Sequence, residues 1–367
     1  MAAVTELDTR RTDRLEQALR MIAPGTELRA GVDDILRSKT GGLVVVGEPR
    51  TLSFLFSGGI PLDHSFSANL LCELAKMDGA VILDADVGRI AYANVQLMPD
   101  PLISTTETGT RHRTAERVAK QTDAIVISIS QQRDVVSLYV DDTKHTLEEL
   151  RSLLAKANQA LATLEKYRAR LDGVATRLTA LEFEGVATLH DVLLVLQRAE
   201  MTSRMAREIE RYITELGSES RMIAMQLDEM MVGVSRGLTA LIRDYRAGRP
   251  TSGFGDEKAL IARLHRLSDD ELFDLGALAG LLGYEPGAAL DLAVTPRGYG
   301  VLARVPRLPR GLASALVDRF SDLNGLLKAA PDEVAAVSGV GEARARDITD
   351  GLRRLQEINL VDRHLHL

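Results

Sequence analysis

Residues 109–130 have the sequence GTRHRTAERVAKQTDAIVISIS, and this stretch decides the fold of the first part of the chain. Apolar residues at helical spacing in residues 114–120 predict a helix. Residues 124–130 form a short run rich in Ile and Val that follows an aspartate, which predicts a buried strand. A helix that leads directly into a buried strand is typical of an α/β domain.

The same pattern continues on either side of this stretch. Short apolar runs bounded by Gly or Asp predict five more strands, at residues 43–46, 52–56, 80–83, 90–93 and 135–140. Helical spacing predicts helices at residues 15–22, ahead of Pro24, and at residues 67–76. The sequence therefore predicts an α/β N-terminal domain with a mixed sheet over residues 1–146.

The pattern changes at residue 147. Apolar residues alternate by three and four positions through residue 181 without a proline, which predicts one long helix. Core packing within the chain is the simplest explanation, and an exposed seam between copies of the chain is the alternative. We expect an all-α linker domain at residues 147–299, with a turn or linker at residues 249–255. Prolines and glycines then separate short helices in a third domain, at residues 300–367.

Composition limits the class of protein. A chain of 367 residues is long enough for two or three domains, each with its own core. Its single cysteine, Cys72, cannot form an internal disulfide, and no Cys/His cluster has zinc-ligand spacing. The sequence shows neither a signal peptide nor a membrane span, so a cytoplasmic protein with no membrane partner is expected. Aromatic residues make up only 4% and Trp is absent, which disfavours base-stacking platforms for single-stranded nucleic acid.

Positive charge is concentrated where helix 114–120 begins. Arg111, His112 and Arg113 occupy a first turn that the helix dipole already makes positive, so an anion is needed to compensate them. A polyphosphate is the natural ligand, with Thr110 and Thr114 supplying hydroxyl groups. A solvated basic helix start is the alternative. The chain contains neither a Walker-type loop nor a Gly-x-Gly-x-x-Gly fingerprint.

A second motif, Asp78-Gly79-Ala80, precedes the predicted strand at residues 80–83. The glycine would let a phosphate or sugar approach the backbone. The neighbouring carboxylate could bind a metal ion or accept a hydroxyl proton. Taken alone, an Asp-Gly pair usually forms only a turn.

The last motif lies near the C-terminus, where Gly339-Val340-Gly341 is expected to join two short helices. Its amides would bind a phosphate oxygen, Val340 would fill the core between the helices, and Arg344 and Arg346 would reach neighbouring phosphates. This pattern resembles the helix-hairpin-helix DNA-binding motif, although two glycines can also simply end one helix and start another.

A second hairpin is possible at residues 305–312. Prolines replace the glycines there, and a proline has no amide hydrogen to donate. Its role is therefore expected to be structural, with Arg307 and Arg310 offering positive charge to DNA.

The net charge of −7 argues only against a uniformly basic DNA-binding protein. The acidic excess lies in residues 1–300, whereas residues 301–367 are nearly balanced and group their arginines. Modest, salt-sensitive affinity confined to the C-terminal hairpins is therefore expected.

Asp78-Gly79-Ala80 and Arg111-His112-Arg113, within one α/β domain, resemble the paired signatures of diadenylate cyclase domains. The order of a cyclase-like segment, long helices and a helix-hairpin-helix segment resembles the DNA integrity scanning (DisA) family over nearly the whole chain. The resemblance implies condensation of two ATP molecules into cyclic di-AMP with release of two pyrophosphates, assisted by Mg²⁺ or Mn²⁺.

The resemblance also implies roles for individual residues. Asp78 would lie near the attacking hydroxyl group and the metal, so Asp78, Arg111, His112 and Arg113 are the catalytic candidates. Leu97 would contact adenine, although ordinary core packing explains it equally well. The full set implied for ATP binding is Gly79, Ala80, Leu97, Thr110, Arg111, His112, Arg113, Thr114 and Ser130, with Gln131 nearby.

A symmetric product made from two identical substrates requires two cyclase domains to meet face to face, so a homo-oligomer follows from the chemistry. The resemblance implies an octamer that binds branched DNA at its hairpins, and DNA binding is expected to lower synthesis. Two alternatives remain: a non-catalytic repair or scaffolding protein that senses nucleotides, and a nucleotidyltransferase acting on one ATP.

Overall fold

The computed structural model describes residues 2–131, 134–248, 256–285, 287–305 and 308–365. The predicted linker at residues 249–255 and Arg307 lie outside the described residues, and so does the side chain of Arg310. The chain divides into two compact units. Met1–Gln159 and Ile209–Met225 form the first unit, and Ala160–Glu208 and Gln226–Leu367 form the second. The predicted division into domains at residues 1–146, 147–299 and 300–367 stays a prediction.

The first unit contains a mixed sheet of eight strands. Its helices and strands up to residue 146 are α1 (Ala2–Met21), α2 (Glu27–Ser38), β1 (Gly42–Val46), α3 (Pro49–Leu52), β2 (Phe56–Ser57), β3 (Ile60–Ser65), α4 (Ala68–Leu74), β4 (Ala80–Leu83), β5 (Arg89–Leu97), α5 (Thr110–Gln121), β6 (Ile125–Ile129), β7 (Val136–Val140) and β8 (Thr143–Thr146). The strand order is β2-β5-β4-β1-β6-β7-β8, and β3 also pairs with β5. Strand β1 is parallel to β4 and antiparallel to β6, which confirms the predicted mixed α/β domain.

Alternate residues of β1 pack on opposite faces of the sheet. Val44 and Val46 join a hydrophobic cluster with α1, α2 and α4, whereas Leu43 and Val45 join a second cluster with α5. All five residues of β1 are buried. A strand that is buried on both faces has a continuous run of apolar residues. Strand β1 has such a run, and for that reason the sequence predicts it correctly.

One predicted strand is wrong, and two strands were missed. Of residues 52–56, Leu52 ends α3 and Ser53–Leu55 form a 3₁₀ turn, because Pro49 opens a helical turn there, and only Phe56 belongs to a strand, β2. Strand β3 is exposed along its whole length, so its sequence carries no buried apolar run. Strand β8 consists of four polar residues, so its sequence carries no apolar run either.

The remainder of the chain is helical. Its helices are α6 (Leu150–Glu184), α7 (Leu189–Leu216), α8 (Arg221–Met231), α9 (Val234–Tyr245), α10 (Asp256–Arg266), α11 (Asp269–Phe273), α12 (Leu275–Leu281), α13 (Tyr299–Leu302), α14 (Arg310–Phe320), α15 (Leu323–Lys328), α16 (Pro331–Ala335) and α17 (Glu342–Leu365). Helix α6 has 35 residues and confirms the predicted long helix. Leu161, Leu164, Leu171 and Leu178 on it are buried within the chain, so core packing explains their spacing.

A reciprocal clamp joins the end of α9 to the start of α13. The carboxylate of Asp244 accepts hydrogen bonds from the amides of Gly298, Tyr299 and Gly300 at 2.7–2.8 Å. The guanidinium of Arg297 donates to carbonyl oxygens at the end of α9 and just beyond it. The free amides at the start of α13 therefore meet a negative charge, and the free carbonyl oxygens at the end of α9 meet a positive charge. Both charges have the sign that the helix dipole favours.

A buried carboxylate ties α7 to the segment that contains α10. Glu200 is fully buried, and its oxygens accept from Arg204 at 3.0 Å, from Arg207 at 2.7 Å and from His265 Nδ1 at 2.6 Å. Burial raises the pKa of Glu200, but the bond and charge of His265 and the bond from Arg204 outweigh it, so the pKa is lowered from its ordinary value.

Substitution Glu200→Gln should therefore destabilise the protein. Removing one partner of a buried charged network leaves the other charges uncompensated, which costs about 3 kcal/mol. Urea unfolding at pH 7 measures the loss, and Glu229→Gln, at an exposed position of α8, is the matched control. Because the lowered pKa contributes stability only while Glu200 is ionised, the difference from wild type should shrink as the pH falls through that pKa. A difference that stayed constant on acidification would contradict this assignment.

Candidate functional site

Three neighbouring strands bring the predicted motifs to one end of the sheet. Ala80 at the start of β4 pairs with Leu43 of β1, and Leu43 pairs with Ser128 near the end of β6. The turn Asp78–Gly79 and Ser130 therefore lie at the same end of adjacent strands. Helix α5 also begins there, because Arg111 Nη1 on its first turn donates to the carbonyl oxygen of Ile129 at 3.3 Å.

The first turn of α5 has the features of an anion-binding site. Gly109 precedes it in an extended conformation and has no side chain to accept from the first amides. The turn holds no acidic residue. Within the described part of the chain, no carboxylate forms an ion pair with Arg111 or Arg113. Amide N–H groups and unneutralised guanidinium groups at one helix end are the features that bind phosphate.

Two glycines with positive φ allow the backbone to pack closely beside this helix end. A Cβ on Gly41 (φ +69°) would lie 2.6 Å from Arg111 Nη1, and one on Gly79 (φ +122°) would lie 2.9 Å from the carbonyl carbon of Asn94. Asn94 itself has a φ of +54°. Sequence analysis missed Gly41 and Asn94, although a Gly-Gly pair directly before a strand was a usable signal for Gly41.

His112 points to a polar chain on the α5 face of the sheet. Its Nδ1 lies 2.9 Å from the hydroxyl oxygen of Tyr139, which donates to Glu107 Oε1 at 3.1 Å. Lys144 Nζ donates to the same carboxylate oxygen at 2.5 Å. Sequence analysis missed Glu107, Tyr139 and Lys144, because a tyrosine inside a buried strand is usually a core residue.

The remaining basic residues of α5 hold the segment that precedes it. Arg117 donates to the carbonyl oxygen of Ile103 at 2.9 Å. Glu116 accepts from Thr105 at 2.5 Å and pairs with Lys120 at 2.6 Å. These contacts fix the segment that carries Glu107 and Gly109 along the side of the helix.

The other predicted nucleotide-binding residues differ in how far they are exposed. Thr110 and Arg113 are exposed on the first turn of α5, and Thr114 is half-buried. Leu97 ends β5 at the same end of the sheet, since Val95 pairs with Ala80. Leu97 is only 8% exposed and packs in the hydrophobic cluster under α5, so its adenine contact stays a prediction.

The sequence predicts that the carboxylate of Asp78 holds a divalent metal ion. Asp78 is exposed in the turn before β4. Within the described residues, no group of three or more His, Cys, Asp or Glu side chains is arranged to hold a metal. This donor set fits Mg²⁺ or Mn²⁺ only if substrate supplies the other ligands, and that is the usual way in which Mg²⁺ is held beside phosphates.

The C-terminal motif belongs to the second unit. Val340 is 4% exposed and packs in the cluster formed by α13 to α17, which confirms its predicted place in the core. Gly339 has a φ of +85°, and nothing lies within 4 Å of a Cβ on Gly341, so open space faces this turn. Arg344 Nη1 donates to the carbonyl oxygen of Gly339 at 3.1 Å, and Arg346 is exposed beside Glu342. The two helices differ from expectation in length, with 5 residues in α16 and 24 in α17.

The fold is an α/β domain with a positively charged helix end at one end of its sheet, followed by a long helical region. Residues 29–144 match the family described as DisA bacterial checkpoint controller nucleotide-binding, and residues 147–290 match the DisA bacterial checkpoint controller linker region. The chain belongs to the DisA family. In the described ranges, no helix combines the length and apolar character that crossing a membrane requires.

Curated relatives cover almost the whole chain. The DNA integrity scanning protein DisA of Acetivibrio thermocellus is 47% identical over 98% of this chain and 99% of its own length. That of Kineococcus radiotolerans is 48% identical over 96% and 98%, and that of Carboxydothermus hydrogenoformans is 49% identical over 94% and 97%.

The close approach at Gly79 leads to a prediction. Substitution Gly79→Ala forces a side chain into a left-handed conformation and against the backbone of Asn94, so β4 and β5 must separate locally. We expect a lower melting temperature and about tenfold weaker nucleotide binding, measured by thermal unfolding and calorimetry. Gly88→Ala is the control, since its Cβ would have ordinary contacts and no strained φ. Equal nucleotide affinity for Gly79→Ala and wild type would contradict the proposed closeness of ligand and backbone.

Proposed function

We propose that this protein is a diadenylate cyclase that condenses two ATP molecules into cyclic di-AMP and releases two pyrophosphates. The observation that carries the proposal is the convergence of Asp78–Gly79 with the positive first turn of α5 at one end of the sheet. A carboxylate beside an anion-binding helix end is the combination that nucleotidyl transfer needs. Membership of the DisA family supports the same activity.

Each group has a chemical task in this proposal. Arg111, Arg113 and the amides of α5 bind the triphosphate and stabilise the charge that develops on the pyrophosphate leaving group. Gly79 lets the nucleotide approach the backbone. Asp78 lies near the 3′-hydroxyl group and lowers the cost of its deprotonation during attack on the α-phosphate. Asp78 would also hold Mg²⁺ or Mn²⁺, which supplies charge neutralisation at the phosphates when bound.

Two copies of the domain must face each other, because each 3′-hydroxyl group attacks the α-phosphate of the other ATP. The first unit exposes large apolar side chains just before the start of β2 and just after the end of β5, where the amide of Met98 donates to the carbonyl oxygen of Leu55. Phe54 is 65% exposed and Met98 is 61% exposed. Exposed apolar residues of this size support a self-association surface. A homo-oligomer, an octamer by family resemblance, is part of the proposal, with the chain in the cytoplasm.

A nucleotide sensor without turnover is the second candidate, and a nucleotidyltransferase that uses one ATP is the third. The triphosphate-binding end of α5 would serve all three functions. The position of Asp78 favours turnover over sensing, because binding a polyanion gains nothing from an exposed carboxylate at the same sheet end.

The roles of Asp78 and Arg111 can be separated by substitution. Asp78→Asn should abolish cyclic di-AMP formation and leave ATP binding within a few-fold of wild type. Arg111→Ala should weaken ATP binding by about tenfold or more, because a charge-assisted hydrogen bond to phosphate is lost. Chromatography of reactions with ATP and Mg²⁺ or Mn²⁺ measures product, and calorimetry measures binding. Asp86→Asn, an exposed aspartate beyond the other end of β4, is the matched control.

The possible outcomes distinguish the candidates. Wild-type protein that binds ATP but forms no cyclic di-AMP with either metal would favour the sensor. A product containing one adenosine would favour the third candidate. An active Asp78→Asn variant would contradict the role of that carboxylate.

We propose further that the C-terminal helices form a helix-hairpin-helix module that binds the DNA backbone without reading sequence. Buried Val340, the positive φ of Gly339 and the open space before Gly341 support this proposal. Gly339, Gly341, Arg344 and Arg346 would contact phosphates, and Arg307 and Arg310 would add charge. The preferred DNA is branched, and its binding is proposed to lower cyclic di-AMP synthesis.

DNA affinity should depend on salt and on Arg346. Arg346→Ala should weaken binding of a four-way junction several-fold and reduce the slope of log affinity against log salt by about 1, because one phosphate contact is lost. Arg319→Ala, an exposed arginine at the end of α14, is the control. Fluorescence anisotropy at several salt concentrations measures both values. Cyclic di-AMP synthesis that is unchanged at saturating junction DNA would contradict the proposed coupling.

A further inference from the structure

The chain Lys144–Glu107–Tyr139–His112 links a residue of the candidate site to three side chains that the proposed reaction does not use. Tyr139 stands at the centre of this chain and is 1% exposed. In the sheet it pairs with Val126 on one side and with Lys144 on the other. Its hydroxyl group therefore has a fixed place under the first turn of α5.

The direction of the hydrogen bonds in this chain follows from proton counting. Burial raises the pKa of Glu107, but hydrogen bonds from Lys144 and Tyr139 outweigh it, so the pKa is lowered and the group is a carboxylate that only accepts. Burial also raises the pKa of Tyr139, so the phenol keeps its single proton. That proton is donated to Glu107, and the lone pairs of the hydroxyl oxygen are left to accept from His112.

The ring of His112 must then carry a proton on Nδ1, 2.9 Å from the hydroxyl oxygen. The opposite edge of the ring faces the start of the helix, since an added Cβ on Gly109 would lie 3.5 Å from His112 Cδ2. Cδ2 is bonded to Nε2. The hydrogen bond to Tyr139 therefore turns Nε2 towards the helix end where phosphate is expected.

We propose that Tyr139 and Glu107 are positioning residues, which hold His112 in one ring orientation with Nδ1 donating to Tyr139. In this orientation Nε2 faces the nucleotide, and in the imidazolium form of the ring Nε2 also carries a proton and donates a hydrogen bond to a phosphate oxygen, which only accepts. The proposal rests on the proposed function only for the identity of the ligand. Lys144 completes the chain by keeping Glu107 ionised, as its ammonium group lies 2.5 Å from Oε1. An oriented ring loses less entropy when the nucleotide binds, so affinity depends on groups that do not touch the nucleotide.

A double-mutant cycle tests the proposal through binding of α,β-methylene-ATP, which blocks cleavage at the α-phosphate. Tyr139→Phe keeps the buried ring and removes only the hydroxyl group, and we expect about tenfold weaker binding. His112→Ala should weaken binding by a similar factor. Because Tyr139 acts through His112, the double variant should bind no more weakly than His112→Ala alone.

Tyr92→Phe is the matched control, a tyrosine on β5 that packs edge-on against Phe56, and its affinity should equal that of wild type. Thermal unfolding of Tyr139→Phe should stay within a few degrees of wild type. Additive losses in the double variant, or wild-type affinity of Tyr139→Phe, would overturn the proposal.

A second measurement does not depend on nucleotide. In ¹⁵N spectra of protein with labelled histidines, assigned through His112→Ala, His112 Nδ1 should carry a proton in wild type. An unprotonated Nδ1 would overturn the positioning role. Absence of analogue binding to wild type, with Nδ1 protonated, would instead overturn the proposed function and leave the hydrogen-bond chain established.

Discussion

The first unit depends on strand β1, which is buried on both faces and pairs with β4 on one side and with β6 on the other. Because β4 runs parallel to β1 and β6 runs antiparallel, the start of β1, the start of β4 and the end of β6 meet at one end of the sheet. Helix α5 begins at that end because it precedes β6 and packs antiparallel to it. Loss of this strand register would separate Asp78 from Arg111, even if both sequence motifs were unchanged.

The candidate site places positive side chains at a helix end that is already positive, and contacts within the chain hold those side chains in place. A first helical turn that carries Arg111, His112 and Arg113 is unfavourable in an empty protein, because the helix end is already positive. The chain tolerates this arrangement by anchoring Arg111 to a backbone carbonyl and His112 to Tyr139. In the proposed function, an anionic substrate supplies the missing charge, so part of its binding energy would come from relief of repulsion.

The second unit uses buried charge for a different purpose. Glu200 joins α7 to α10, and Asp244 with Arg297 joins α9 to α13. Each of these contacts connects segments that are distant in sequence. Each is made of hydrogen bonds, whose geometry is directional, whereas apolar packing is not. Helices that pack through leucine and alanine alone can slide, whereas a carboxylate with three fixed donors sets one alignment.

The amino-acid sequence alone determined the mixed α/β domain, the long helix α6 and the place of Val340 in the core, since apolar periodicity and glycine spacing are local signals. The sequence also identified Asp78 and the basic first turn of α5 as candidate site residues. Only the tertiary structure decided that they share one end of the sheet, that Gly41 and Asn94 pack against them, and that Tyr139 and Glu107 orient His112. These relations depend on strand register and on contacts between residues far apart in the chain, and no local pattern encodes them. Strand β3 shows the same limit, because it is exposed along its whole length and only pairing with β5 identifies it as a strand.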